Sequence, residues 1–168
     1  MRRRGDRRDE PAVRFQLREK LISIGDDYWI ETDRGVRAFK VDGKALRIRD
    51  TWKLEDPSGR EVATIRERKL SIRDAIKIEI GGRDATVKKA LVGIRDRFHI
   101  EVDGGADLKA HGNIVDHEYE IERGGDTAAV VSKRWFRVRD TYGVEVRDPA
   151  DVPLAIAITV AIDALSHD

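Results

Sequence analysis

From Phe15 to Val146 the chain alternates apolar and polar residues in short runs. Lys77-Ile78-Glu79-Ile80, Tyr119-Glu120-Ile121-Glu122 and Val144-Glu145-Val146-Arg147 all follow this pattern. Alternate side chains of a strand point to opposite faces, so each run predicts a strand with one apolar and one charged face. Turn-forming residues separate the runs. Asp33-Arg34-Gly35, Asp42-Gly43, Asp56-Pro57-Ser58-Gly59, Gly81-Gly82, Asp103-Gly104-Gly105 and Gly124-Gly125 all suit hairpin corners. About twelve strands fit at this spacing, which predicts a sandwich or a closed barrel.

The chain also repeats itself. A basic residue, two apolar residues at alternate positions and a closing Asp recur as Lys20–Asp26, Lys44–Asp50, Arg68–Asp74 and Arg134–Asp140. The first three copies stand 24 residues apart, room for two strands and their turns. A looser copy is Val92-Gly93-Ile94-Arg95-Asp96. The pattern predicts a strand in each copy, with the apolar pair inward and the Asp capping the next turn. A larger duplication relates Trp52–Ile65 to Tyr119–Val131. Repeated hairpins suit a barrel, because closure removes exposed strand edges.

The last segment breaks the pattern. Asp148-Pro149 reads as an N-cap followed by a first helical position. The following VPLAIAITVAIDAL is apolar on nearly every side, so protein or lipid must surround it. Val152–Leu165 is shorter than the roughly 20 residues of an ordinary membrane span. A barrel of about twelve strands is too wide for wall side chains alone to fill. One helix threaded through the lumen answers both problems.

Composition narrows the chemistry. The 168 residues and 19.1 kDa suit one domain. Lys and Arg number 33 against 32 Asp and Glu, so no global field marks a nucleic-acid binder. The absence of Cys excludes disulfides, a thiol nucleophile and thiolate metal sites. Residues 1–13 read as a disordered Arg-rich arm and 14–168 as the domain. Asp6, Asp9 and Glu10 offset much of the arm's charge. There is no apolar signal segment, so a cytoplasmic location is expected.

These features resemble the LURP-one-related family of the tubby C-terminal-like superfamily. The residues that carry the resemblance are Glu19–Asp26, Gly112-Asn113 with Glu118–Ile121, Val131–Val144 and the apolar tail Leu154–Asp163. It implies a mainly β fold, a twelve-stranded antiparallel closed barrel around a central hydrophobic C-terminal helix. Within the superfamily, tubby proteins bind phosphoinositides and other members are named phospholipid scramblases. This chain has neither the Cys cluster nor the Pro-rich leader associated with scramblases, so scrambling and palmitoyl anchoring are not carried over. The family offers no defined catalytic motif, and no catalytic residue or cofactor is assigned.

The candidate site residues are cations. Arg66, Arg68 and Lys69 fall in one repeat unit, Lys88 and Lys89 in a second, and Lys133 and Arg134 in the duplicated unit. Gathered on one rim, they would hold a phosphate head group by charge-assisted hydrogen bonds. The competing reading makes them outward residues of alternating strands. His111, Asp116 and His117 could meet in a loop, but they lack a metal-site spacing and no metal is assigned. No GxSxG, P-loop or GxGxxG occurs. The expected function is therefore non-enzymatic binding of anionic phospholipid at the cytoplasmic membrane surface. The alternative is a protein-interaction adaptor without lipid binding. Neither involves specific nucleic acid or a transmembrane segment.

Overall fold

The alternating runs form the wall of a closed barrel. The structure is a computed structural model. It describes residues 12–18, 27–43, 51–69, 74–90 and 97–166, the side chains of Arg68, Lys69 and Asp74 excepted. The strands are β1 (Val13–Arg18), β2 (Tyr28–Thr32), β3 (Arg37–Asp42), β4 (Thr51–Glu55), β5 (Glu61–Lys69) and β6 (Asp74–Ile80). They continue with β7 (Arg83–Lys89), β8 (Arg97–Val102), β9 (Leu108–Asn113), β10 (Glu118–Arg123), β11 (Asp126–Ser132) and β12 (Thr141–Val146). Each strand pairs antiparallel with its sequence neighbours, and β1 closes on β12 from Val13↔Val146 to Arg18↔Thr141. The expected twelve-stranded barrel is the fold, and no described strand is left with an open edge.

A single C-terminal helix, α1 (Val152–Ser166), follows β12 through a short 3-10 turn at Pro149–Asp151. Asp148 caps that turn by accepting from the Ala150 amide at 3.0 Å, as the Asp-Pro signal predicts. By length and composition Pro149–Ser166 is able to cross a membrane. The barrel encloses it instead. Ile156, Ala157, Ile158 and Ala161 are fully covered, packed on inward residues such as Ile65, Ile76, Ile78 and Val144. A helix apolar on all sides is stable in water only inside such a sleeve.

The topology sorts the connections onto two rims. Even strands end at a hairpin rim, turned by Asp33–Val36, Asp56–Arg60, Gly81-Gly82, Asp103–Asp107 and Gly124-Gly125. Five of the six predicted corners fall here. At Gly81-Gly82 both residues have positive φ, 54° and 74°, as a two-residue hairpin requires. Asp56 holds its turn by accepting from the Ser58 amide and hydroxyl and the Arg60 amide. The sixth, Asp42-Gly43, opens the connection between the antiparallel pair β3 and β4, of which residues 44–50 lie outside the described residues. Odd strands end at the opposite loop rim. α1 starts at the hairpin rim and ends beneath the loop rim.

The duplication is visible as geometry. The hairpins β4–β5 and β10–β11 stand six strands apart in the ring of twelve. Their registers shift at matching places, between Leu54 and Glu55 and between Ile121 and Glu122. The β2–β3 hairpin shifts at Ile30/Glu31. Each shift falls at the apolar-Glu step of an aromatic-x-apolar-Glu run, and the extra residue bends the partner strand near the rim.

The short repeat is corrected where it is described. Its copies at 20–26, 44–50 and 92–96, and residues 70–73 of another, lie outside the described residues. The copy Arg134–Asp140 is a loop between β11 and β12, not a strand. Its apolar pair does not face inward, because α1 already fills the lumen. Trp135 and Phe136 fold back over the outer wall at Gly143, and Val138 is 61% exposed. A Cβ at Gly143 would come within 2.6 Å of Trp135 and 2.7 Å of Phe136, so glycine admits this close approach. The Arg14 guanidinium lies 4.7 Å from the Trp135 ring while its Nε bonds Glu145 at 2.7 Å. Asp140 closes the loop in the left-handed region at φ 60°, which Asp tolerates.

Candidate functional site

With the lumen plugged, recognition is left to the rims and the outer wall. Several of the nominated cations sit near the ends of odd strands. Arg66 lies on the outer face of β5, 3.9 Å from Glu79. Arg68 and Lys69 belong to the last residues of β5 by backbone register, opposite Ala75 and Asp74; their side chains lie outside the described set. Lys88 on β7 faces Glu101 at 3.4 Å, and Lys89 is exposed at the strand's end. Lys133 and Arg134 open the β11–β12 loop. Glu118 holds that corner by accepting from the Lys133 amide and the Ser132 hydroxyl, both at 3.0 Å. The Arg134 side chain is 84% exposed, with its Nε 4.0 Å from Glu118.

The nominated residues do not form one patch. β5 and β7 are separated by one strand, whereas β11 stands across the ring from β5. Arg66 and Lys88 answer glutamates on the neighbouring strand, an arrangement that suits wall pairing. The denser feature is the β11–β12 loop. Lys133, Arg134, Arg137 and Arg139 fall within seven residues, against one acid, Asp140. Arg137 and Arg139 are exposed and flank the exposed Val138. The adjacent connection on the same rim, between β9 and β10, presents Val115 at 66% exposure. Sequence reasoning missed Arg137 and Arg139 because it assigned them to a strand. The run of four cations was the signal available.

Beneath this rim lies a buried polar cluster around Asp163 near the end of α1. Its Oδ1 is 2.8 Å from His117 Nε2, and its Oδ2 accepts from the Tyr142 hydroxyl at 3.0 Å. The His117 ring stacks on Tyr142 with centroids 4.2 Å apart. The buried Tyr28 hydroxyl has no partner among the described residues. Burial first, then the Asp163 charge, pushes the phenols of Tyr28, Tyr119 and Tyr142 well above their usual range. His117 and Asp163 are only 3% and 4% exposed, so substrate has no access to them. The cluster instead ties the β9–β10 connection to the plug. Nothing in the local pattern of the chain links these tyrosines to Asp163.

His111, Asp116 and His117 do not converge. His111 points out from β9 and meets Glu122 at 2.8 Å, His117 points into the lumen, and Asp116 bonds Asn113. Among the described residues, His111, Glu120 and Glu122 do bring ligand-type atoms within 4.8 Å of one another on the outer wall.

Comparison with known proteins agrees with this architecture. The family described as LURP-one-related matches residues 13–163. An uncharacterized Bacillus subtilis (strain 168) protein, YxjI, is 24% identical over 156 residues, covering 93% of this chain and 95% of its own. An X-ray structure of an Arabidopsis thaliana protein superposes with a TM-score of 0.61 at 15% identity, covering 91% of this chain and 92% of that one. At that identity the likeness speaks for the fold.

Proposed function

This chain belongs to the LURP-one-related family, and on that premise we propose that it is a non-enzymatic binding module for anionic phospholipid head groups at the cytoplasmic membrane surface. One observation carries the reading. The loop rim presents exposed Val115 and Val138 beside Lys133, Arg134, Arg137 and Arg139. Exposed apolar tips ringed by cations suit a surface that is both greasy and negative. Arg66, Arg68, Lys69, Lys88 and Lys89 belong to β5 and β7, away from this loop, and are proposed as auxiliary contacts. The filled lumen and the sealed Asp163 cluster argue for surface recognition over catalysis.

Each Lys or Arg close to an anionic surface contributes about 1 kcal/mol. Four cations give weak, salt-sensitive attachment. The test is sedimentation with vesicles of neutral lipid alone or with added phosphatidylserine, at low and high salt. Retention should need the anionic lipid and fade with salt. Reversing Lys133 and Arg134 together to Glu should abolish it. Retention indifferent to salt and to the double reversal would refute the reading and leave the protein-interaction adaptor in its place.

A further inference from the structure

The opposite, hairpin rim carries a second feature. A groove of about 540 Å3 opens there between the barrel wall and the first turn of α1. That volume falls within the roughly 300–1,000 Å3 usual for small-molecule sites. Its floor is aliphatic: Val62, Ile80, Val102 and Leu154 line it, each half-buried against the core. Val62 is the extra residue of the β5 bulge, since Leu54 pairs with Ala63 and Glu55 with Glu61.

Two arginines overhang this floor, Arg83 and Arg123. Strand parity sets both toward the lumen side, Arg83 two residues before buried Ala85 and Arg123 two after buried Ile121. Arg83 stands exposed at the mouth, free to meet a ligand, whereas Arg123 is half-buried there and needs a counter-ion. Arg123 has one, a two-pronged bond to Asp151 at 2.9 and 3.0 Å. The other acid in the lining, Asp84, is held by Lys77 at 3.0 Å. Arg83 has no ion pair among the described residues. Its Nη1 stands 4.0 Å from where a Cβ on Gly105 would lie, over the groove.

A guanidinium offers paired donors to a planar carboxylate, and the floor beneath offers hydrocarbon contact. We propose that this groove binds a medium-chain aliphatic carboxylate, its chain on Val62, Ile80, Val102 and Leu154 and its head on Arg83. The site lies on the rim opposite the basic loop, so it stands independently of the membrane reading.

Calorimetric titration of the full chain with octanoate, decanoate, decanol and acetate, each below its aggregation concentration, tests the assignment. Decanoate should bind. Octanoate should bind about tenfold more weakly, from two fewer buried methylenes. Decanol should be weaker by about tenfold for want of the charge-assisted bond, and acetate should not bind. Arg83→Gln should bring decanoate down to the decanol level. Ala106→Trp, an exposed position in the lining, should block the groove in a folded protein. The Lys133/Arg134 double reversal should leave decanoate binding unchanged. No decanoate binding, equal affinity for decanol and decanoate, or indifference to both groove variants would overturn the proposal.

Discussion

The buried phenols make the response to alkali a sensitive test of the plugged-barrel architecture. The chain has three tyrosines in all, and Tyr28, Tyr119 and Tyr142 surround Asp163. In the unfolded chain each ionises near its ordinary value of 10.0. In the folded protein, burial and the Asp163 charge hold each phenol in its neutral form to higher pH. Above that ordinary value the unfolded state therefore binds fewer protons than the native state, and stability falls as pH rises. The contribution is intact below the unfolded value and is lost on the alkaline side. Each phenol lowers stability by up to about 1.4 kcal/mol per pH unit. By about pH 11 the three together remove about 4 kcal/mol. That is a large share of a typical net stability of about 5–15 kcal/mol. Urea denaturation across the alkaline range gives the loss directly, and phenolate absorbance reports only these side chains. Absorbance should stay flat while the protein is folded and rise together with unfolding. Tyr28→Phe removes a buried hydroxyl that has no partner among the described residues. It should leave neutral-pH stability equal or slightly higher and cut the alkaline slope by about a third. Phenolate appearing near the ordinary tyrosine value in folded protein would refute the enclosed cluster.

Two further substitutions probe the same architecture. Asp163→Ala takes the hydrogen-bond acceptor from His117 and Tyr142 at once and should cost about 3 kcal/mol in urea unfolding, with the β9–β10 connection loosened in hydrogen exchange; stability within error of wild type would mean the contact is idle. Gly143→Ala places a methyl against the rings of Trp135 and Phe136, so it should cost about 1–3 kcal/mol and shift Trp135 fluorescence toward that of exposed indole; an unchanged spectrum would show that the loop does not rest on β12.

Much of the wall was written in local pattern. Period-two alternation marked β6, β10 and β12, and glycine or Asp-Pro turns marked five of the hairpin corners. Strand alternation and turn chemistry depend on nearest neighbours along the chain, so a linear reading recovers them. The helix was legible for a different reason. Fourteen residues with no polar face have nowhere to go except inside something, and a wide barrel needs a filling. The Asp148-Pro149 signal marked its start.

What the linear reading could not supply was the outcome of competition for that interior. Phe136 and Val138 carry the same alternation as a buried strand, yet α1 already occupies the lumen. The segment was forced outward over Gly143, and Val138 was left among arginines at the rim. The pairing of Asp163 with His117, 46 residues away, and the placing of Arg83 beside the aliphatic groove are equally nonlocal. Pattern along the chain determined which residues form strands, turns and plug. Excluded volume and the meeting of distant charges, which exist only once the barrel has closed, decided which faces were left available for binding.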